Sequence, residues 1–199
     1  MIIVGLTGGI ASGKTTISNF IRKQNIPVHD SDACVYNLYK KPSIKFIDYL
    51  KLIGLKKAIK EKKINKKIIR NEVFNNNKKL KKLEEFIHQQ IKISRNRFLK
   101  KQEKLNKDLI VFDIPLLFEK KLENICDYVF LAHSPLSIRR SRALKRKNMN
   151  KKILKKIISL QKPDKIKMVK SDFIINTSSG KTLSNNQVLK AIKFIKEIN

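Results

Sequence analysis

The sequence predicts an α/β fold: a parallel sheet, a block of helices inserted between two of its strands, and a charged helical cover near the end. Three observations predict it. Short aliphatic runs recur near Ile2, Val28, Leu109, Tyr128 and Phe173, each too short for a helix and apolar enough for a buried parallel strand. Helical apolar spacing fills the intervals between them. A glycine-bearing loop joins the first run to the first helix at Gly8-Gly9-Ile10-Ala11-Ser12-Gly13-Lys14-Thr15, and it fits G-x-x-x-x-G-K-[ST] in full.

The elements follow in order. Ile2, Ile3, Val4 and Leu6 form the first strand. Glycines then let the backbone turn tightly and approach phosphate oxygens without a Cβ in the way. The loop's N–H groups make an anion nest at the positive end of the next helix. Lys14 is suited to bridge terminal phosphates, and the Thr15 hydroxyl to ligate Mg²⁺. The loop reads as a nucleoside triphosphate site. A second GKT, at Gly180-Lys181-Thr182, has Ile175 where the pattern wants glycine and reads as a coincidental turn.

Ile26-Pro27-Val28 leads a second strand whose carboxyl end delivers Asp30 and Asp32 before a helix. Ligands of open α/β sheets sit beyond such strand ends. One aspartate caps the helix and the other does chemistry, with Asp32 favoured for the chemistry. Residues 40–105 are rich in Lys and Asn and carry helical apolar spacing, notably from Leu80 to Leu99, so they predict a helical insertion. His88, Lys92 and Arg95 fall on one face of its long helix.

Leu109-Ile110-Val111-Phe112 is a buried strand with Asp113 at its end. A carboxylate there orders Mg²⁺ through water, orients an acceptor, or simply caps the turn at Pro115. Tyr128 to Ala132 gives another strand. Ser134-Pro135 opens a helix carrying Arg139, Arg140, Arg142 and Arg146, half of the chain's eight arginines. Guanidinium grips phosphate in a planar fork, and Arg142 and Arg146 are expected on one helical face. Residues 148–170 read as a charged helical lid of the kind that excludes water from phosphoryl transfer. Ser171 to Asn176 is the last strand, and Leu183 to Ile198 a closing helix.

With 199 residues the chain suits one domain with insertions. The expected layout is a core of 1–39, 106–134 and 171–199, an insertion of 40–105, and a lid of 135–170. No stretch is long and apolar enough for a membrane span, and the N-terminus lacks signal-peptide features, so a cytoplasmic enzyme is expected. Cys34 and Cys126 belong to no metal-ligand pattern and read as buried thiols. The net charge of +30 invites a nucleic-acid reading. Yet the charge is mostly Lys spread from end to end, without interleaved aromatic platforms. Attraction of polyanionic small substrates is the better reading.

Five stretches together resemble dephospho-coenzyme A kinases over nearly the whole chain. They are Gly5 to Thr16 (GLTGGIASGKTT), His29-Asp30-Ser31-Asp32, Ile87-His88, Asp113 to Glu119 (DIPLLFE) and Ser171 to Asn176 (SDFIIN). Arg142, Arg146 and Gln161 are similar to the family's lid. The resemblance implies a P-loop kinase with a five-stranded parallel sheet, like nucleoside monophosphate kinases. It implies transfer of the ATP γ-phosphoryl group to the ribose 3′-hydroxyl of dephospho-CoA, with Mg²⁺; a monomer is expected, and the composition argues against a dedicated nucleic-acid partner. By the same resemblance Gly9, Ala11, Ser12, Gly13, Lys14, Thr15, Thr16, Arg142 and Arg146 hold ATP. Asp32, His88, Arg95, Asp113 and Leu117 face the substrate, and Asp32, Lys14 and Arg142 are catalytic. The chain departs from the family at Ala11, where Gly is usual, at Gln89, where Pro is usual, and at Lys92, where Arg is common. A kinase of another small acceptor, such as a nucleotide or shikimate, shares the loop and the lid arginines but does not explain DIPLLFE or His88.

Overall fold

Seven uncharged residues, IIVGLTG, make β1 (Ile2–Gly8), buried from Val4 onward. The computed structural model describes residues 1–74 and 76–199. By its contacts the chain divides into two units, 1–29 with 102–199 and 30–101.

In the first unit β1 leads through the loop to α1 (Lys14–Lys23), whose Ile17 and Ile21 are buried, and then to β2 (Val28–Asp30). The chain re-enters this unit through β5 (Leu109–Asp113) and β6 (Tyr128–His133). It continues as α6 (Leu136–Leu144), α7 (Lys151–Ser159), α8 (Asp164–Val169), β7 (Phe173–Asn176) and α9 (Lys181–Glu197). The sheet is parallel and five-stranded, in the order β2-β5-β1-β6-β7. Its register places Leu6 opposite Asp113, Gly8 opposite Ala132 and His133 opposite Asn176. The carboxyl ends of β1, β5, β6 and β7 therefore open on one edge, where such sheets bind ligands. Val4, Leu6, Ile17, Ile21, Val111, Phe130, Val188 and Ile195 form the core below that edge.

The second unit carries α2 (Ser31–Lys40), α3 (Ile44–Leu52), a short hairpin of β3 (Ile59–Lys60) and β4 (Lys63–Ile64), and α4 (Lys66–Phe74). The long α5 (Asn77–Lys104) follows. Phe46, Leu50, Leu55 and Phe86 form its own core, with the Phe46 and Phe86 rings stacked 5.3 Å apart. Leu38 and Tyr39 pack on that cluster, which is why α2 sorts with the helical unit although it follows β2 directly. Burial pushes the Tyr39 hydroxyl above its ordinary pKa.

Two expectations change. Pro135, expected inside the first turn of α6, is its N-cap. Cys34 and Cys126, expected to be buried, form no disulfide and are only half-buried. The segment expected as a charged helical cover forms two helices, α7 and α8, with Pro163 keeping the residue before it out of the helical region.

Candidate active site

The phosphate loop is shaped by residues whose backbone few side chains tolerate. Gly13 has φ +89°, and a Cβ there would lie 3.0 Å from Thr177 Cβ and Oγ1. Ala11 also sits in the left-handed region, with φ 57°. An L-residue with a Cβ pays about 1 kcal/mol or more there, which accounts for the family's glycine. Here the Ala11 methyl is buried against Ala143 and Leu154, an offset of about 0.8 kcal/mol. Ser12 N donates to Gly9 O at 3.1 Å, and Thr16 N to Gly13 O at 2.9 Å, so the loop closes on itself before α1 begins.

Lys14 Nζ donates to Asp113 Oδ1 at 2.6 Å, and the Asp113 carboxylate is 2 % exposed. Register explains the meeting, since Asp113 ends β5 opposite Leu6 of β1. Of the roles open to Asp113, holding the loop lysine is the one on display. Ile10 N donates to Gln161 Oε1 at 3.0 Å, tying the loop to the α7–α8 connection.

Arg142 Nη2 donates to Thr177 O at 2.7 Å and Nη1 to Thr177 Oγ1 at 3.3 Å. The guanidinium is thereby held half-buried at the end of β7. Arg139 is 4 % exposed, donates to Ser134 O at 3.0 Å and pairs with Asp164. Its Nη1 lies so close to Gly9 that a Cβ there would force the guanidinium to shift. The DIPLLFE glutamate, Glu119, accepts from Lys162 N at 2.8 Å and pairs with the buried Lys167 at 2.7 Å. Together these contacts fasten α8 and the residues before it to the strand-end loops.

Not every expected residue stands where the sequence suggested. Gly9, Ala11, Ser12, Gly13 and Lys14 form one loop, and Thr15 and Thr16 are exposed on the first turn of α1. Arg146 does not share a helical face with Arg142, because α6 ends at Leu144 and Arg146 is exposed beyond its C-cap. Leu117 is fully buried, and a Cβ on Gly5 would lie 2.7 Å from its side chain. Its side chain is part of the core.

In the second unit, Asp30 accepts from Ala33 N at 2.9 Å and so takes the capping role. Asp32 is exposed in the first turn of α2. His88 is exposed on α5, whereas Arg95 on the same helix is 9 % exposed.

Sequence reasoning passed over Thr177 altogether. It also grouped Arg139 with its neighbours and did not see that this one is buried. Thr177 is the first residue after the last strand, so the rule that strand ends carry ligands would have flagged it.

A sequence model of the dephospho-CoA kinase (CoaE) family matches residues 2–182. The chain belongs to that family. It is 39% identical over 196 residues to the dephospho-CoA kinase of Bartonella henselae, covering 97% of each chain. Among solved structures it is similar to the dephospho-CoA kinase from Campylobacter jejuni, with a TM-score of 0.73 and 25% identity over 98% of this chain and 97% of that one. A Thermus thermophilus protein gives a TM-score of 0.81 at 26% identity, covering 100% and 98%. The departures at Ala11, Gln89 and Lys92 are therefore variations within the family.

Proposed function

We propose that this chain transfers the γ-phosphoryl group of ATP to the ribose 3′-hydroxyl of dephospho-CoA, giving CoA and ADP, the last step of CoA synthesis. The observation that carries this reading is the complete phosphate loop with Lys14 on Asp113 in a chain of this family. An alternative small acceptor, or nucleic acid, has no comparable support.

The division of labour follows from charge and position. The loop amides and Lys14 take the ATP phosphates, Lys14 exchanging one oxygen anion, that of Asp113, for another. Arg142 places a second cation near the transferring group, where preorganised charge contributes most. Asp32 accepts the proton of the attacked hydroxyl. His88 and Arg95 bind the dephospho-CoA side, and Asp113, freed from Lys14, helps orient the reacting groups. Arg146 is exposed and free to reach the nucleotide from the lid.

Mg²⁺ fits the residues present. No group of three or more His, Cys, Asp or Glu forms a cage among the described residues. Mg²⁺ is ordinarily held by substrate phosphates with one or two protein oxygens, here the exposed Thr15 hydroxyl. The ion would neutralise phosphate charge there.

We further place the enzyme in the cytoplasm as a monomer. No helix among the described residues is long and apolar enough to cross a membrane. Light scattering should give 23.2 kDa.

The test is ADP release with Mg-ATP and dephospho-CoA, beside AMP, CMP, shikimate and water alone. Release that depends on dephospho-CoA supports the reading. Release with only another acceptor would leave a P-loop kinase with the wrong substrate assigned.

A further inference from the structure

One residue outside the phosphate loop uses every polar atom it has to hold the nucleotide site together. Thr177 is 7 % exposed and follows β7 directly. Its hydroxyl lies 2.5 Å from Ser12 O and 3.1 Å from His133 O. A hydroxyl has one proton to give, and the shorter contact takes it. The same oxygen accepts from Arg142 Nη1, and the carbonyl accepts from Arg142 Nη2. The backbone N–H donates to His133 O at 2.8 Å, which fixes the residue to the end of β6.

Geometry turns these bonds into a function. The Ser12–Gly13 peptide is planar and trans, so its C=O and its N–H point in opposite directions. With the Ser12 carbonyl held toward Thr177, the Gly13 N–H faces the other way. A Cβ on Gly13 would lie 3.0 Å from Thr177 Cβ and Oγ1, so the Thr177 side chain also stands close beside the loop at this residue. We infer that Thr177 is the positioning residue of the nucleotide site, orienting the Ser12–Gly13 peptide through its hydroxyl and the Arg142 guanidinium through its carbonyl. The inference rests on reading the loop as an ATP site, and not on which acceptor is used.

Substitution separates the hydroxyl from the fold. Thr177→Val keeps the shape and removes the donor, leaving Ser12 O without its partner. Thr177→Ser keeps the donor and removes only a methyl group. AMP-PNP with Mg²⁺ is titrated calorimetrically into each protein without acceptor, and KM for ATP and for dephospho-CoA are then measured. Thr177→Val should bind AMP-PNP about tenfold more weakly and raise KM for ATP by a like factor. KM for dephospho-CoA should stay within about twofold, and Thr177→Ser should stay within about twofold of wild type throughout. Unchanged AMP-PNP binding in Thr177→Val would overturn the inference, as would an equal loss in Thr177→Ser.

If circular dichroism shows Thr177→Val unfolded, Thr177→Cys takes its place, since a thiol is a weak donor. Binding by that variant equal to Thr177→Ser would likewise overturn the inference. Wild-type protein inactive on dephospho-CoA, together with weakened binding in Thr177→Val, would defeat the proposed function and leave this inference standing. The reverse pattern would do the opposite.

Discussion

The two units build their functional residues in different ways. In the first, Lys14, Arg142 and Gln161 each meet a named partner: Asp113, Thr177 and the Ile10 amide. These contacts join chain segments far apart in sequence, and parallel strand register brings the segments together. In the second, Asp32 and His88 stand exposed on helices whose other faces pack an aromatic core around Phe46 and Phe86. The difference teaches where precision is stored. The residues proposed for the phosphates sit at strand ends and in a closed loop, whereas Asp32 and His88, proposed for the acceptor, are displayed from helix surfaces. Preorganised charge is costly to assemble and contributes most to phosphoryl transfer.

Substitutions can break that contrast. Lys14→Ala should lower kcat/KM about a thousandfold, the largest effect, because it removes a preorganised cation from the transferring phosphates. Single-turnover transfer to dephospho-CoA reads it directly. Asp32→Asn should lower kcat about a hundredfold with KM for ATP unchanged, the signature of a lost general base. A loss in ATP affinity instead would move Asp32 to the nucleotide side. His88→Ala should raise KM for dephospho-CoA about tenfold and leave AMP-PNP binding alone, as expected for one charged or polar contact to substrate. Ala11→Gly should be the smallest. It relieves the left-handed strain but loses a buried methyl and gains unfolded-state freedom, so stability should shift by less than about 1 kcal/mol. Urea midpoints would show it. A large destabilisation would mean the Ala143 and Leu154 contacts outweigh the backbone strain.

The sheet was legible because its strands are short apolar runs, and the loop because its eight residues are contiguous. Asp113 was legible as a strand-end carboxylate, but its partner was not, since pairing with Lys14 depends on β1 and β5 being neighbours. Arg146 was misplaced on a shared face with Arg142 because periodicity continues past Leu144 with no glycine or proline to mark the stop. Leu117 sits in a motif whose Asp113 holds Lys14 and whose Glu119 pairs with Lys167, and the apolar residue between them is core. Thr177 was legible only as the residue that follows the last strand. Its meaning lies in Ser12, His133 and Arg142, three residues that only the folded chain brings to it.

The central claim is transfer from ATP to one hydroxyl of dephospho-CoA, and phosphorus NMR of the product tests it most directly. The account requires a new 3′-phosphomonoester signal growing in step with ADP, with no ADP formed when dephospho-CoA is left out. ADP released at the same rate without acceptor, or phosphate on a different hydroxyl, would contradict it.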